Sequence, residues 1–335
     1  MSKLAVGVIG LGVGEQHAQA YHSHPDCELA AICDTDPDRL REVAVRFPGT
    51  RETTSAEGIL DDPSIDVVSV ASWDDAHYRH VSHALRNGKH VFVEKPLCQT
   101  EQEAREIQAL LLEHPQLRLS SNLPLRASPR FREIKEQIGA GELGRIYYVE
   151  ASYDYGRLYK LTDGWRGELE EYSVFLGGGI HLVDLILWMT GDAVVRVTAA
   201  GNRITTEGTN FRFDDLVVAL LEFESGLIAK VSANFGCVHP HFHGLTVFGT
   251  EGTFVNGLEQ GSLWRRTEDG LTRSTVEGEY PGAGKGDLIP SFIGAILGGG
   301  EPTVSAEEIF ATMSVCFAVG RSHASGEPRA VESLG

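Results

Sequence analysis

Hydrophobic and polar positions alternate in two different ways along this chain, and the change falls near Asn122. Before that residue, short runs rich in Val, Ile and Ala, such as 4–9, 27–33 and 65–72, are separated by segments of helical composition. Strands that alternate with helices are typical of βαβ units, which build parallel sheets with right-handed crossovers. The pattern predicts an α/β fold with an N-terminal doubly wound parallel sheet.

Longer strand-like runs with short turns follow Asn122. They span residues 144–155, 193–201, 215–226, 227–236 and 242–250. Runs joined by such tight turns pair antiparallel. Helices are predicted at 288–297 and at 306–325, the second begun by a capping box of Ser305 and Glu308. We therefore expect an α+β domain with a large, mainly antiparallel open sheet.

The first strand runs into a glycine-rich turn formed by Gly10, Gly12, Val13 and Gly14, followed by a helical segment. Such a turn lets backbone amides approach a pyrophosphate, and the helix dipole favours the anion. A Rossmann fingerprint has its third glycine where this chain has Glu15. The loop is therefore either one residue shorter or differently closed.

Asp34 ends the second strand, 24 residues after Gly10 (34 − 10). An acid at this distance accepts hydrogen bonds from the adenosine ribose and repels a 2′-phosphate, so NAD is favoured over NADP. Asp34 could instead cap the helix that begins at Asp36. The glycine spacing also suits an S-adenosylmethionine methyltransferase, but the acid that those enzymes usually carry two residues before the first glycine is replaced by Val8.

Composition narrows the function classes. With 335 residues, 42% of them hydrophobic, the chain is long enough for two domains with separate cores. The net charge of -18 argues against nucleic acid or an anionic membrane as a partner, because either requires a basic face. Five cysteines without a CxxC pair suggest neither a disulfide framework nor a zinc site. No membrane span and no signal peptide are recognised, so we expect a cytoplasmic protein.

The segment Glu94-Lys95-Pro96 follows directly on an apolar strand. The end of a strand in an open α/β sheet is the edge where ligands bind, so a lysine there is placed for chemistry. A surface lysine before a turn proline is the alternative interpretation.

These segments together resemble the Gfo/Idh/MocA oxidoreductases. The similarity is carried by residues 7–14, 31–39, 72–77, 88–97 and 177–184. It implies an NAD(P)-binding Rossmann domain at 1–122 and a substrate-binding and oligomerisation domain at 123–335. It also implies a sugar, cyclitol or related polyol as substrate and a homodimer or homotetramer as assembly.

The resemblance assigns roles to residues far apart in the chain. Lys95 would lie beside the nicotinamide and the reacting hydroxyl, and His181 would accept the hydroxyl proton. Hydride transfer from an alcohol needs a base for the hydroxyl proton and a cation that stabilises the developing negative charge on the oxygen. His181 and Lys95 could exchange these two roles. Inositol-dehydrogenase-like members carry an aspartate at the position of Gly177. Further cofactor contacts are expected at Ser72, Trp73, His77 and Glu94.

A substrate-recognition loop is predicted just before His181. Aromatic faces suit sugar rings and arginines suit carboxylate or phosphate groups. The substrate contacts are expected at Arg126, Tyr155, Trp165, Arg166 and Asp184. Residues 239–243 alternate three histidines, but no carboxylate or cysteine accompanies them, so no metal is expected.

The sequence thus favours an NAD-dependent oxidoreductase acting on a sugar or polyol. A non-catalytic NAD(P)-binding regulator of the same family is the alternative, which Gly177 favours and the presence of both Lys95 and His181 opposes.

Overall fold

The computed structural model describes residues 3–268 and 270–334, and the chain divides into two compact units. The first unit comprises the described residues of 1–124 and 334, together with 283–310. The second comprises the described residues of 125–282 and 311–333. Residues 283–310, which the sequence places in the second domain, therefore group with the first unit.

The first unit is built on a six-stranded parallel sheet with the order β3-β2-β1-β4-β5-β6. Its strands are β1 (Leu4–Ile9), β2 (Cys27–Cys33), β3 (Arg51–Thr53), β4 (Val67–Val70), β5 (His90–Glu94) and β6 (Leu119–Asn122). All four residues of β4 are buried, as expected for a parallel strand covered on both faces. The order reverses direction at β1, so β1 and β4 form the switch point where doubly wound sheets bind ligands.

Helices connect these strands as the sequence pattern predicts. They are α1 (Gly14–Ser23), α2 (Pro37–Ala44), α3 (Glu57–Leu60), α4 (His77–Arg86) and α5 (Glu101–Glu113). The Thr100 side chain accepts from the backbone of Glu103, and the Glu103 carboxylate accepts from the backbone of Thr100. This capping box fixes the start of α5.

The segment 283–310 packs on the first unit through specific contacts. Phe292 lies in the helix α9 (Ile289–Gly298), and its ring centroid is 5.6 Å from that of Phe92 in β5. The Ser120 hydroxyl donates to the carbonyl of Val304 over 2.9 Å. These partners lie far apart in the sequence, so local patterning could not reveal the grouping.

The second unit contains a nine-stranded sheet with the order β14-β13-β12-β11-β7-β10-β9-β8-β15. Its strands are β7 (Ile146–Asp154), β8 (Val194–Asn202), β9 (Leu216–Phe223), β10 (Ile228–Asn234), β11 (Phe242–Gly249), β12 (Gly252–Asn256), β13 (Gly261–Thr267), β14 (Gly270–Val276) and β15 (Arg329–Ala330). Its helices are α6 (Pro129–Gly139), α7 (Tyr159–Thr162) and α8 (Ile180–Thr190), and α10 (Ala306–Ser325) begins in the first unit and ends here.

The prediction of a large, mainly antiparallel sheet is confirmed, with one exception. The central pair β7 and β10 is parallel, whereas the other paired strands of this sheet are antiparallel. Tight turns constrain only consecutive strands, and β8 and β9 intervene between this pair. Strands β13 and β14 were not predicted because their sequences, GSLWRRT and GLTRSTV, are rich in polar residues, and six of the seven positions of β14 are exposed.

No helix within residues 3–268 and 270–334 combines the length and the apolar character needed to cross a bilayer.

Candidate active site

The glycine loop after β1 has the shape that a dinucleotide requires. Gly10 has φ +86, and a Cβ there would lie 2.4 Å from the carbonyl oxygen of Ala71, so only glycine fits. A Cβ at Gly12 would meet no atom within 4 Å, which leaves the backbone open to a ligand. At Gly14, the first residue of α1, a Cβ would press on Val8 at 3.1 Å.

Gly14 therefore supplies the close helix–strand packing that the third glycine of the fingerprint normally provides. It does so one residue early, which leaves position 15 free to carry a side chain. Val13 lies half-buried at the N-terminus of α1. The loop fits a diphosphate on geometric grounds, and of the two possibilities left by the sequence it is the shorter one.

Asp34 ties the end of β2 to this loop. Its Oδ2 accepts from the backbone of Leu11 at 2.7 Å, and its Oδ1 accepts from the backbone of Asp36 at 2.9 Å. Asp36, rather than Asp34, is the N-cap of α2. A carboxylate has about four acceptor positions, so two remain on Asp34 for ribose hydroxyls.

His77 links the loop after β4 to the Lys95-Pro96 turn. The ring is fully buried, with Nδ1 2.6 Å from the carbonyl oxygen of Pro96 and Nε2 3.0 Å from that of Ser72. Both partners are acceptors, so a neutral imidazole can donate to only one of them. This geometry gives His77 a positioning role for the turn that carries Lys95, while its predicted contact with the cofactor stays a prediction.

The Ser72 hydroxyl is held by a second histidine. His80 Nδ1 is 3.1 Å from Ser72 Oγ, and Arg79 donates to His80 Nε2 over 3.3 Å. Because Nε2 must accept from a guanidinium, His80 is neutral and its Nδ1–H donates to the serine. Burial, together with the nearby positive charge of Arg79, lowers the pKa of His80 from 6.5 to about 4.

We expect this depressed pKa to make the protein less stable in mild acid. Between the unfolded value of 6.5 and the folded value of about 4, the unfolded chain binds more protons at His80, so stability falls as pH falls. His80→Gln should reduce by about 1 kcal/mol the loss in unfolding free energy between pH 7 and 5, measured by urea denaturation. The exposed-histidine control His22→Gln should match the wild type, and an unchanged slope in His80→Gln would contradict the assignment.

Lys95 is half-buried at the carboxyl end of β5, next to a buried carboxylate. Asn122 donates to Glu94 Oε1 at 2.7 Å, and His17 Nε2 and Lys285 Nζ lie 3.4 and 3.8 Å from the same oxygen. Burial opposes ionisation of Glu94, but the positive charge of Lys285 and the hydrogen bond from His17 prevail. They hold its pKa well below the usual range. Lys95 thus follows a fixed, ionised group rather than a mobile side chain.

Trp73, a predicted cofactor contact, lies in the loop after β4 with 49% of its surface exposed. Indole rings stack on other flat rings, and the contact of Trp73 with the cofactor stays a prediction.

His181 lies in the first turn of α8 and is only 5% exposed. A π-helical turn, Phe175–Gly179, leads into this helix; such turns occur frequently at functional sites. The imidazole stacks on Tyr153, with ring centroids 5.9 Å apart, and is perpendicular to His243 at 5.8 Å. The predicted base thus lies against a cluster of rings, Tyr153, His241 and His243, which we call the aromatic wall.

Tyr153 is the centre of that wall. Its ring also contacts His241 and His243 edge-on at 5.3 and 5.2 Å, and its hydroxyl is 3.2 Å from His241 Nε2. Burial raises the pKa of Tyr153 far above its usual value. Tyr280, which accepts from the His243 backbone at 2.8 Å, has its pKa raised by burial to about 12. Both phenols therefore keep their protons at neutral pH.

Of the three histidines at 239–243, His241 and His243 contribute rings to this aromatic wall, whereas the ring of His239 lies against Phe242. Across the described part of the chain, no group of three or more His, Cys, Asp or Glu side chains is arranged to hold a metal ion.

Three of the predicted substrate residues lie close together in the second unit. Arg166 lies 4.4 Å from the ring of Trp165 and 5.9 Å from that of Tyr155. The pKa of the neighbouring Lys160 is lowered by burial and by the charges of Arg157 and Arg166. Cations and aromatic rings are therefore interleaved in the loop expected to recognise the substrate, a role that stays a prediction.

Arg126 and Asp184, the other two, bind each other. The guanidinium Nε is 3.1 Å from both carboxylate oxygens, and Nη2 is 2.6 Å from Oδ1. Their side chains are 1% and 0% exposed. The pair therefore acts structurally in this unit, and a direct contact of either with substrate stays a prediction.

Gly177 has a physical reason to lack a side chain. A Cβ there would lie 2.4 Å from the hydroxyl of Tyr172, which also accepts from Arg166 Nε at 3.0 Å. Tyr172 thus occupies the space that an aspartate at this position would need.

Sequence reasoning missed two groups of residues. They are His17, Asn122 and Lys285, which surround Glu94 in the first unit, and Tyr153, which stacks on His181 in the second. Asn122 could have been found as a polar residue at the carboxyl end of a parallel strand. Lys285 carries no local signal, because it reaches Glu94 from a segment that returns late in the chain.

A glycine loop and an acid at the end of the second strand, both on a doubly wound parallel sheet, are typical of dinucleotide-binding proteins. Comparison with known families agrees: residues 4–122 match the oxidoreductase family with an NAD-binding Rossmann fold, and residues 131–255 match the GFO/IDH/MocA C-terminal domain. The chain belongs to the Gfo/Idh/MocA oxidoreductase family, which confirms the resemblance seen in its motifs.

Individual relatives are similar over most of their length. The 1,5-anhydro-D-fructose reductase of Ensifer adhaerens is 26% identical over 315 residues, which cover 91% of this chain and 92% of that protein. The myo-inositol 2-dehydrogenase of Thermotoga maritima is 26% identical over 285 residues, covering 80% and 79%. A levoglucosan dehydrogenase solved with NADH and L-sorbose superposes with a TM-score of 0.87 at 22% identity, covering 99% and 100%, and so shares the fold.

Proposed function

We propose that this protein is an NAD-dependent oxidoreductase that transfers a hydride between the nicotinamide and a hydroxyl or ketone of a sugar, cyclitol or sugar derivative. The observation that carries this proposal is the pairing of the open glycine loop and Asp34 with Lys95 at the carboxyl end of β5. In this proposal, residues 1–122 bind the cofactor, and residues 123–335 bind the substrate and mediate a homodimer or homotetramer.

The relatives support the substrate class. One is named as a reductase of an anhydro sugar and another as a dehydrogenase of a cyclitol. Both names describe exchange between a ring hydroxyl and a ring ketone. The aromatic wall around His181 suits such a ring, because sugar rings present apolar faces together with hydroxyl edges.

Lys95 and His181 divide the acid–base work at the reacting oxygen. A bound nicotinamide supplies the hydride chemistry, and the protein must remove a proton from the alcohol and stabilise the developing negative charge. The Lys95 ammonium provides the positive charge, and the His181 imidazole is a base suited to neutral pH. A desolvated lysine could take the base role instead, and the two assignments differ in the pH profile of turnover.

NAD is preferred over NADP in this proposal because Asp34 faces the adenosine ribose. Asp34→Asn keeps an oxygen for the Leu11 amide and removes the charge. We expect it to lower the ratio of the NADPH to the NADH dissociation constant by about tenfold, measured by titration of cofactor fluorescence. A ratio equal to that of the wild type would contradict the placement of Asp34 at the ribose.

A two-stage experiment tests the function itself. NADH titration asks whether the cradle binds, and a panel of sugars and cyclitols with NAD then asks whether NADH is formed. Binding with turnover supports the enzyme. Binding without turnover on a broad panel supports the alternative, a non-catalytic NAD(P)-binding regulator, which the absence of an acid at Gly177 favours. Absence of NADH binding would contradict both.

A further inference from the structure

Glu15 directly follows Gly14, the glycine that packs α1 on the sheet, and its side chain has specific partners. It lies in the first turn of α1, is 22% exposed, and forms ion pairs with Arg39 and Arg46. Gly14 already supplies the helix–strand packing, so the glutamate is not needed for the loop to close. The negative charge of Glu15 acts instead on Arg39.

Each nitrogen of the Arg39 guanidinium donates a hydrogen bond, and one of the partners is the residue that binds Asp34. Its Nε and Nη2 donate to the carbonyl of Leu11 at 3.1 and 2.8 Å, Nη2 also donates to Glu15 at 2.5 Å, and Nη1 donates to Glu42 at 3.0 Å. Leu11 donates its own amide to Asp34. Leu11 of the glycine loop therefore binds both Asp34 and Arg39.

An arginine near this acid is the group that accommodates a 2′-phosphate in NADP-binding proteins of this fold. In this protein, Arg39 would have to exchange its two carboxylate partners, Glu15 and Glu42, for the phosphate. Glu15 and Glu42 form ion pairs with Arg39 and Arg46, and Asp34 lies next to this cluster through the backbone of Leu11. These five side chains carry one net negative charge, which would repel a 2′-phosphate at a ribose bound by Asp34.

We infer that Glu15 is a specificity-determining residue for the cofactor, which excludes NADP by holding Arg39 away from a 2′-phosphate. The inference rests on the proposed binding of NAD. Two effects then act against NADP. Asp34 repels the 2′-phosphate, and Arg39, which could bind that phosphate, is held by Glu15. Removing the Glu15 charge makes these five side chains neutral. It also weakens the hold on one N–H of Arg39 Nη2, which continues to donate to the Leu11 carbonyl.

The test compares dissociation constants for NADH and NADPH, read from cofactor fluorescence, in the full-length protein. Glu15→Gln should tighten NADPH binding by about tenfold and leave NADH binding within about twofold, because the 2′-hydroxyl does not need the arginine. Glu113→Gln, which removes an equal charge from an exposed site at the end of α5, should change neither constant. An unchanged NADPH constant in Glu15→Gln would overturn the inference.

A double-variant cycle separates the released arginine from a general change in charge. In the Arg39→Gln background, Glu15→Gln should no longer tighten NADPH binding. If the tightening persists without Arg39, the effect comes from net charge alone and the role assigned to Arg39 is wrong. Failure of the wild type to bind NADH would instead overturn the proposed function, so the two failures are distinguishable.

Discussion

Lys95→Ala should lower turnover by about 100-fold or more while leaving NADH affinity within about threefold of the wild type. The ammonium is expected to interact with the oxygen as it gains charge, so its loss raises the barrier rather than weakening cofactor binding. Steady-state kinetics on a substrate from the panel, combined with NADH titration, measure the two quantities separately.

Two further variants serve as a comparison and a control for Lys95→Ala. His181→Ala should show a similar loss of turnover with intact NADH binding, because it removes the partner group. Lys3→Ala, on an exposed residue outside the site, should retain wild-type turnover. Full activity in Lys95→Ala would exclude the proposed mechanism.

Asp184→Asn should destabilise the protein by about 3–5 kcal/mol, because it leaves the guanidinium of Arg126 buried without its counter-charge. The guanidinium is 1% exposed and contacts both carboxylate oxygens, so water cannot replace the lost partner. Urea denaturation of the full-length protein, monitored by tryptophan fluorescence, measures the change in unfolding free energy.

The double variant Arg126→Met with Asp184→Leu serves as the control. Removing both charges together should restore most of the stability, since no unpaired charge stays buried. A loss below about 1 kcal/mol in Asp184→Asn would show that the pair is weakly coupled.

The sequence predicted much of the fold because its signals are local. Strand–helix alternation, the glycine turn and the Thr100–Glu103 box each depend on neighbouring residues, and each is observed. The parallel pairing of β7 with β10 and the return of residues 283–310 to the first unit depend on partners distant in sequence. No periodicity encodes such partners, so they could not be derived.

The same distinction holds at the candidate site. Asp34 and Lys95 were found because each follows directly on a predicted strand. The engagement of Arg39 by Glu15 and the burial of the Arg126–Asp184 pair are tertiary facts, which composition does not encode. Gly177 was interpreted as a missing acid, and only the structure shows that a side chain there would have to displace the ring of Tyr172.

The central claim, that Lys95 lies beside the nicotinamide, is tested most directly by lysine acylation followed by mass spectrometry. Lys95 is half-buried and should react slowly in the free protein. Saturating NADH should protect it strongly, whereas ADP-ribose, which fills the glycine cradle but lacks the nicotinamide, should protect it much less. Equal protection by both ligands, or no protection by NADH when titration shows it bound, would contradict the account.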